Sequence, residues 1–506
     1  MTKVAVATTS DIAADAARIV NEQGGNAVDC ALAAAMMAIN TEPGVCALLG
    51  SAYITISSPG QPAITIDGNT AVPGIGSHAD LRNAVTEVTL EYGGGITTLV
   101  GPGSVAVPGT LAATEKASKA FGQVDWRTLL QPTIDVTRRG FPFSEACHYY
   151  LGYSGEPIFS RSDDGFFALH DNDRQLRPAG TPIVVPHLAD TLDAIADDGA
   201  ALFYHGELGK TVVDYVQAGG GALTQDDLNR YDAIERPCLT RNLRDWQIAT
   251  NPPPAVGGVT LSAMLSACDD LPVAPWNRDS LSQLIDVQRA CLGFRKQRLD
   301  LAQNYDDEVQ LLLKLAESGD LISRYASGST VHTSAVDDAG LACAITASSG
   351  YGAGDMPPGT GLWLNNCLGE IELNRHGLDA TPAGARLPSN MAPSVARSAD
   401  AVMAIGSPGA DRITTALHQF LVNHVQLDMS LKDAVEHPRV HIDTSGQSIR
   451  LMAEPGLDLP DLNIDAHTVR QLSMYFGGVG AARYSDVDGF DVAADPRRAG
   501  GTFVSA

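Results

Sequence analysis

The segment around Thr330 constrains this chain more than any other. It reads Ser327-Gly-Ser-Thr330-Val-His332-Thr-Ser-Ala-Val-Asp337-Asp-Ala-Gly340. Alternating residues 331–336 predict a strand, Asp337-Asp-Ala-Gly340 supplies turn residues, and residues 341–347 predict a returning strand. The sequence therefore predicts a β-hairpin whose first strand starts immediately after a threonine, with small Ser and Gly residues in front of it.

Thr330 at this position has a possible chemical role. A threonine inside a chain is a poor nucleophile, because no base lies beside its hydroxyl. Cleavage of the Ser329–Thr330 bond would place a free α-amine, with a pKa of about 7.7–8.0, next to that hydroxyl. By this chemistry alone Ser329 is a competing nucleophile, although the spacing to His332 favours Thr330. An ordinary strand threonine is the alternative interpretation.

Further motifs follow one another along the whole chain. They are Gln23-Gly-Gly-Asn-Ala-Val-Asp29 with Glu42-Pro43, Gly103-Ser-Val-Ala-Val-Pro-Gly-Thr110, Gly140-Phe-Pro-Phe-Ser144, Gly220-Gly-Ala-Leu-Thr-Gln-Asp-Asp-Leu228 with Tyr231 and Glu235-Arg236, Pro252-Pro-Pro-Ala-Val-Gly-Gly258, Leu364-Asn-Asn366, Gly406-Ser-Pro-Gly409 and Asp495-Pro-Arg497. Together with the Thr330 segment, this set resembles the γ-glutamyltransferase (γ-glutamyltranspeptidase) family of N-terminal nucleophile hydrolases. The resemblance covers nearly all 506 residues.

The predicted elements agree with a large α+β protein. Residues 10–22 and 27–39 have helical patterns, and residues 52–57 and 63–66 have strand patterns. Residues 125–320 look mainly helical, with a tight loop at residues 251–258, and strand character returns after residue 330. Residues 401–405 predict a strand that leads through Gly406-Ser-Pro-Gly409 into a helix. This order suits two sheets packed face to face between helix layers.

The family resemblance implies a more specific architecture. It is a four-layer αββα sandwich with two stacked, mainly antiparallel sheets. Residues 1–329 would form a large subunit and residues 330–506 a small subunit that begins with the nucleophile. The two would make one intertwined structural domain, a heterodimer of the chain's own fragments, whose further oligomeric state the sequence leaves open.

The resemblance also implies the catalytic positions. Thr330 would be the nucleophile in self-cleavage and in turnover, and Ser348 falls where the family has a supporting threonine. Backbone N–H groups at Gly409 and Ala410, before a helix, would form the oxyanion hole. The family usually has two glycines there, and Ala410 replaces the second.

The substrate-binding positions depart from the family pattern. An arginine that grips the substrate carboxylate falls on Asn69, which carries no charge. A serine pair falls on Ser389 and Asn390, an amide position on Cys367 and an acidic position on Glu370. Arg386 is a candidate replacement cation. The segment of residues 367–386 is also short where many relatives carry an active-site lid, which favours hydrolysis or a different acyl group.

Charge and composition exclude several classes of partner. The formal net charge is −25, with only 34 Lys and Arg residues, and nucleic acids or anionic membranes need clustered basic residues. No window approaches about 18 uninterrupted apolar residues. We therefore expect no nucleic-acid or membrane partner and a cytoplasmic protein without a secretion signal. The eight scattered cysteines predict free thiols in a reducing compartment.

The sequence predicts no cofactor and no metal. His437 and His441 have the i, i+4 spacing that metal ligands can have, but Pro438 interrupts the helix and no acidic third ligand is patterned nearby. A structural role is the favoured interpretation. Glu235-Arg236 and Asp495-Pro-Arg497 are interpreted as structural ion pairs or turns.

Three functional hypotheses follow. The first is a self-cleaving threonine γ-glutamyl hydrolase or transferase that acts on glutathione-like amides, with water or an amino acid or peptide as acceptor. The second, suggested by Asn69 and Cys367, is an acylase for another acyl group such as glutaryl. The third is a homologue that binds a metabolite without cleaving. Three departures from the family pattern motivate this hypothesis. They are Val331 in place of the second threonine, Asn69 in place of the arginine, and the loss of the Gly-rich run at residues 48–53.

Overall fold

The structure of the protein is a computed structural model. It describes residues 2–77, 79–91, 95–268, 276–302, 304–318, 330–443, 449–462 and 464–505. Thr330 is the first residue of the 330–443 range. Ser329, the predicted residue on the other side of the cleaved bond, lies outside the described residues.

Strands and helices are distributed along the whole described part of the chain. The strands are β1 (Val4–Thr8), β2 (Ser51–Ser57), β3 (Ile64–Gly68), β4 (Thr86–Leu90), β5 (Ile96–Val100), β6 (Phe141–Pro142), β7 (Pro182–Ile183), β8 (Ile234–Pro237), β9 (Leu239–Leu243), β10 (Trp246–Thr250), β11 (Val331–Asp337), β12 (Ala342–Ser348), β13 (Ser394–Arg397), β14 (Ala401–Gly406), β15 (Val440–Asp443), β16 (Arg450–Ala453), β17 (Asp465–Thr468), β18 (Gly480–Ser485), β19 (Gly489–Ala494) and β20 (Gly501–Val504). The helices are α1 (Asp11–Glu22), α2 (Ala27–Thr41), α3 (Thr110–Phe121), α4 (Trp126–Arg139), α5 (Glu145–Phe159), α6 (Asp163–Leu169), α7 (Leu188–Asp198), α8 (Ala201–Tyr204), α9 (Glu207–Ala218), α10 (Gln225–Arg230), α11 (Val256–Ser266), α12 (Arg278–Gln297), α13 (Tyr305–Ser318), α14 (Arg412–Leu421) and α15 (Leu431–Glu436).

Two large antiparallel sheets form the centre of the molecule. The first has the order β20-β1-β11-β12-β2-β3-β8, and the second has the order β19-β18-β14-β13-β10-β9. Strands β1, β11 and β12 of the first sheet contact β14 and β18 of the second. The layer between the sheets is rich in small side chains, including Ala5, Ala344 and Ala404. Small side chains let the two sheets approach closely.

Helices cover the outer faces of both sheets. Helices α1, α2 and α3 lie against the first sheet, and α4 lies against α2. Helices α11, α14 and α15 cover the second sheet. The layers follow the order helix, sheet, sheet, helix, which confirms the predicted αββα sandwich. The three-stranded sheet β15-β16-β17 is an addition that packs against α12.

The first two helices begin where the sequence predicts, because polar side chains cap them. The Ser10 side chain accepts a hydrogen bond from the Ala13 N–H. At α2, Asn26 and Asp29 form a capping box, in which each side chain accepts from the other's backbone N–H. Every residue of α2 is buried, as its continuous apolar pattern indicates.

The prediction that residues 125–320 are mainly helical is incomplete. Strands β8, β9 and β10 also lie in this region, where β8 is the edge of the first sheet and β9 is the edge of the second. Strand β8 carries Glu235 and Arg236 and is largely exposed. Edge strands expose one side to solvent, so their sequences lack the continuous apolar run that marks a buried strand. The tight loop predicted at residues 251–258 ends earlier, because α11 starts at Val256.

The structure also describes all eight cysteines, and none of them forms a disulfide bond with another. No helix in the described part of the chain has both the length and the apolar character that crossing a bilayer requires.

Candidate active site

Thr330 lies at one end of the central hairpin, where three strands place hydroxyl groups side by side. It is buried and directly precedes β11. Val331 pairs with Ala347, so Ser348 at the end of β12 lies across from Thr330. Ser348 in turn pairs with Ser51 at the start of β2, and the Ser51 hydroxyl donates to the Ser348 carbonyl at 3.0 Å. The antiparallel register therefore places three hydroxyl side chains next to one another, at the ends of three neighbouring strands in the middle of the first sheet.

These hydroxyl groups open into a small cavity of about 20 Å³. The volume is enough for about one water molecule. Its lining consists of Ser51, Asn69, Thr70, Thr330, Ser348, Cys367, Glu370, Leu373, Pro388, Ser389, Asn390, Met391 and Ala410. We call this the nucleophile cavity. Eight residues selected from the sequence therefore meet at one place, and Gly409 is the chain neighbour of one of them, Ala410.

The predicted oxyanion segment has an unusual backbone. Gly409 has φ +114° and Ala410 has φ +68°, both in the region that favours glycine. A Cβ atom on Gly409 would lie 2.8 Å from the Gly477 Cα, so only glycine fits there. Within the described residues, neither the Gly409 nor the Ala410 N–H donates to another protein atom. Both donors therefore remain available, and α14 begins two residues further on.

Asn69, where the family resemblance implies an arginine, makes structural contacts of its own. Its side-chain amide donates to the Leu387 carbonyl, and its N–H donates to the Asp67 carboxylate at 2.9 Å. The buried Asp67 accepts from Arg236 Nε at 2.7 Å and lies 3.8 Å from Arg386 Nε. Asn69 thus joins β3 to the segment that carries Ser389 and Asn390.

Arg386 does not supply a cation to the nucleophile cavity. Its guanidinium packs 4.1 Å from the centre of the Tyr231 ring and donates to the Asn69 carbonyl at 3.2 Å. The side chain lines a different cavity. Among the described residues that line the nucleophile cavity there is no Arg, Lys or His.

Cys367 and Glu370 follow two asparagines that fix the local backbone. The Asn365 side chain accepts from the N–H groups of Ala106 and Cys367, both at 3.1 Å. The Asn366 side chain accepts from the Tyr351 N–H at 2.7 Å. The Asn-Asn string therefore positions the wall of the cavity and does not line the cavity itself.

Glu370 carries the one carboxylate that lines the nucleophile cavity in the described part of the chain. Burial raises its pKa well above the usual range, and the neighbouring Glu372 carboxylate raises it further. A hydrogen bond with the Cys367 thiol lowers the pKa in part. Glu372 accepts from the Tyr351 hydroxyl at 2.6 Å. A buried carboxyl of this kind favours either a proton or a cationic ligand.

Ser389 and Asn390 owe their position to the glycines of the Pro252–Gly258 string. The Gly257 N–H donates to the Ser389 carbonyl at 3.0 Å. A Cβ atom on Gly257 would lie 2.0 Å from the Asn390 carbonyl oxygen. Glycine is therefore required where α11 meets this segment.

Several lining residues were not selected from the sequence. Ser51 and Thr70 are hydroxyl residues next to predicted strand ends, and Leu373, Pro388 and Met391 complete the wall. Thr70 follows Asn69 and Met391 follows Asn390 in the sequence, so their position beside candidate site residues could have indicated them. Ser51 lies in residues 48–53, which departed from the family's Gly-rich run and gave no local indication of its pairing with Ser348.

The histidines have structural contacts. Burial lowers the pKa of His332 to about 3, so the ring is neutral, and its two nitrogens contact the Thr346 and Ser334 hydroxyls at 2.8 and 2.7 Å. His441 Nε2 lies 3.2 Å from Asp411, and His437 Nδ1 contacts the Pro438 carbonyl at 2.9 Å. The described residues contain no cluster of three or more His, Cys, Asp or Glu side chains suited to a metal ion.

Comparison with known proteins agrees with this geometry. The family model described as gamma-glutamyltranspeptidase matches residues 13–505. The chain belongs to this family. This match confirms the resemblance seen in the motifs. Members of the γ-glutamyltranspeptidase family are enzymes that act on small-molecule amides.

The similar proteins include glutathione hydrolases and acylases. The chain is 27% identical to the glutathione hydrolase proenzyme of Bacillus subtilis (strain 168), over 87% of this chain and 80% of that protein. It is also 27% identical to the acylase ACY 1 proenzyme of Pseudomonas sp. (strain V22), over 99% of this chain and 93% of that one. The crystal structure of cephalosporin acylase from Bacillus halodurans has the same fold, with a TM-score of 0.81 at 19% identity, and the match covers 99% and 96% of the two chains.

Proposed function

We propose that this chain is a self-cleaving threonine amidohydrolase that acts on γ-glutamyl amides of the glutathione type. The observation that carries the proposal is the nucleophile cavity. It brings Thr330 together with a second hydroxyl at Ser348, backbone donors at Ala410 and a carboxyl group at Glu370. A nucleophile, an oxyanion site and a group for a substrate amine are the parts that amide cleavage of this kind needs.

Self-cleavage would use the Thr330 hydroxyl against the preceding bond. The hydroxyl attacks the Ser329 carbonyl carbon, the acyl group moves from nitrogen to oxygen, and water then hydrolyses the ester. The products are residues 1–329 and residues 330–506. We expect the two fragments to stay together, because the first sheet contains strands of both. Strands β11 and β12 of the second fragment lie between β1 and β2 of the first, and β11 pairs with β1 while β12 pairs with β2.

Turnover would then use the new terminus. The Thr330 α-amine, with a pKa of about 7.7–8.0, accepts the hydroxyl proton as the oxygen attacks the substrate amide. Backbone N–H groups of Gly409 and Ala410 would stabilise the negative oxygen, and the Ser348 hydroxyl would support the nucleophile. The amine leaves, and water or an amine acceptor releases the acyl group from the ester.

Glutathione-like compounds are the proposed substrates for two reasons. Relatives of this family include proteins named glutathione hydrolase proenzyme. Glu370 also offers a buried carboxylate that would pair with the α-ammonium of a γ-glutamyl group, since an unpaired buried charge needs an opposite partner. Ser389 and Asn390 supply further polar groups in the same wall.

A second candidate function is an acylase for another acyl group, such as glutaryl. The observation that favours it is Cys367 in the lining of the nucleophile cavity, at the position where the family resemblance implies an amide that holds the substrate α-amine. A glutaryl group has the carboxylate of a γ-glutamyl group but no α-amine, so it does not need that amide. The match to a protein named acylase ACY 1 proenzyme over 99% of this chain points in the same direction.

A denaturing gel and two substrates test these proposals. The purified chain should convert on storage into residues 1–329 and residues 330–506, and Thr330→Ala should remain intact and inactive. Thr330→Ser is the matched control, because it keeps a hydroxyl and should still cleave. Release of the same anilide from γ-glutamyl and from glutaryl substrates then decides between the candidates. A chain that never cleaves yet hydrolyses both substrates would refute the threonine mechanism, and one that does neither would be the metabolite-binding homologue.

A further inference from the structure

A second, larger cavity adjoins the nucleophile cavity. Its volume is about 860 Å³, and Leu373 and Pro388 line both cavities. The remaining wall comes from the loop before α11, the start of α13 and residues 374–382. Since the nucleophile cavity holds little more than one water molecule, most of any amide substrate has to lie in this larger cavity.

Arg375 is a cation of this cavity that has no hydrogen-bonded partner within the described part of the chain. Its Nε lies 3.8 Å from Asp300 Oδ2, beyond hydrogen-bond distance, and the guanidinium makes no hydrogen bond to the described residues. Asp300 is bound instead by the fully buried Arg295, whose Nε donates to it at 3.0 Å. That buried pair is already neutral, so the positive charge of Arg375, whose side chain is 23% exposed, is not compensated by Asp300.

More cationic than anionic side chains line this cavity among the described residues. Arg236 and Arg386 also line it and share one carboxylate, Asp67, which lies behind them. His376 and the exposed Asp306 line the cavity as well. Asp306 is an exposed carboxylate of this wall, and the charge of Arg375 also lowers the pKa of the buried Glu372, which burial raises. Among the described residues that line the cavity, three carry a guanidinium group (Arg236, Arg375 and Arg386) and two carry a carboxylate (Asp300 and Asp306).

We propose that the larger cavity binds a carboxylate carried by the substrate and that Arg375 is its partner. This inference rests on the proposed function and adds a specificity-determining residue to it. The nucleophile cavity would hold the reacting amide, and the substrate would extend past Leu373 and Pro388 to the guanidinium. Arg375 thereby supplies a cation that the described lining of the nucleophile cavity lacks, from a different part of the chain.

Binding to an uncleaved chain tests the inference without relying on catalysis. Glutarate and its neutral diamide, glutaramide, are titrated into Thr330→Ala by calorimetry. We expect glutarate to bind more tightly than glutaramide, and Arg375→Gln in the same background to weaken glutarate binding by about tenfold or more. Equal binding of the two probes, or glutarate binding unchanged by Arg375→Gln, would overturn the proposal.

Two further variants make the result specific to the cavity. Asp306→Asn removes the opposing carboxylate, so glutarate should bind about twofold or more tightly. Arg278→Gln removes an exposed arginine that pairs with Asp458 and does not line the cavity, so the ratio of the two affinities should not change. If Arg278→Gln weakened glutarate as much as Arg375→Gln, general surface charge would explain the binding and the site would be refuted.

Activity measurements then locate the carboxylate within the substrate. The first comparison measures hydrolysis of two anilides that differ in the acyl group, which is glutaryl in one and its uncharged monoamide in the other. The second comparison keeps the acyl group and uses an aniline leaving group with or without a carboxylate; each comparison is one arm of the experiment. Arg375→Gln should abolish the preference for the charged partner in one arm and leave the other unchanged, which assigns the cavity to the acyl or to the amine side. Loss of preference in neither arm contradicts the proposal. Failure of self-cleavage alone, with glutarate still bound, counts against the proposed function only.

Discussion

Thr330 and Ser348 face each other across the ends of two neighbouring antiparallel strands, one residue beyond the Val331–Ala347 pair. This pairing is set by the register of the hairpin, because a shift by one residue would turn alternate side chains to the opposite face of the sheet. Ser51 extends the same row on the next strand. The hydroxyl that we propose to support the nucleophile is therefore placed by backbone hydrogen bonds and not by a flexible loop.

Replacement of Ser348 tests that supporting role. Ser348→Ala removes a hydroxyl beside the reacting oxygen and should lower kcat/KM by about 10- to 100-fold, as expected for loss of a hydrogen bond to a charged group. Ser348→Thr keeps the hydroxyl and should retain most activity. Both are measured by anilide release from fully cleaved protein. Equal activity of the Ala and Thr variants would contradict the role.

The backbone at Ala410 predicts a stabilising substitution. A residue with a Cβ atom at φ +68° is strained by about 1–2 kcal/mol, whereas glycine is not, although glycine has a more flexible unfolded chain. Ala410→Gly should therefore raise the free energy of unfolding by up to about 1 kcal/mol. Urea titration of the uncleaved Thr330→Ala chain measures this.

Gly409 provides the matched opposite case. Its φ of +114° and the 2.8 Å approach of a Cβ atom to Gly477 should make Gly409→Ala destabilising by about 1–3 kcal/mol. A destabilising Ala410→Gly, or a neutral Gly409→Ala, would show that the described backbone of this turn is wrong.

Glu370 predicts how substrate affinity depends on pH. Its raised pKa keeps the carboxyl neutral to higher pH than usual, and only the ionised form attracts a substrate ammonium. The KM for a γ-glutamyl anilide should therefore fall as pH rises through the pKa of Glu370. A glutaryl anilide has no ammonium and should not show this fall.

Glu370→Gln is the corresponding variant. It should remove the pH dependence of KM for the γ-glutamyl substrate, while the dependence of kcat on the Thr330 amine remains. Steady-state kinetics from about pH 5 to 9 begin above the ordinary glutamate pKa of about 4.3 and include the α-amine range of about 7.7–8.0. An unchanged pH profile of KM in Glu370→Gln would show that Glu370 does not bind the substrate amine.

The Asp495-Pro-Arg497 string predicts a stability effect. Arg497 is fully buried, donates to Glu454 from Nε at 2.8 Å, and pairs with Asp495 at 3.1 Å. Arg497→Ala removes the ion-pair partner of the buried Glu454 and one of the two arginines beside Asp495, and should lower the free energy of unfolding by about 3–5 kcal/mol. Arg278→Ala, which breaks an exposed pair with Asp458, should change it by about 0.5 kcal/mol or less.

The same network predicts the effect of acid. Burial favours a higher pKa for Asp495, but attraction to Arg439 and Arg497 outweighs it and lowers the pKa below its ordinary value. A lowered carboxyl pKa contributes stability that is present above the unfolded-state pKa and is lost as pH falls through the folded-state value. Thermal melting from about pH 7 to 3 should show this loss, and Arg497→Ala should show a smaller one.

Much of the site could be predicted, and what could not has a physical reason. Thr330, Glu370 and Asn390 lie near distinctive strings, so their positions could be inferred without coordinates. Ser51 could not, because its role depends on which strand pairs with β12. The edge strands β8 and β9 were missed for a related reason, since half-exposed strands have weak local patterns.

The sequence by itself determined the first two helices, the buried character of α2 and the hairpin that starts at Thr330. Capping side chains, turn residues and apolar periodicity act between near neighbours, so they can be recognised along the chain. Only the tertiary structure decided that Asn69, Glu370 and Ala410 share one wall with Thr330. It also decided that Arg386 turns towards Tyr231 while Arg375 makes no hydrogen bond to the described residues, because the partner of a charge depends on segments that are distant in sequence and meet only on folding.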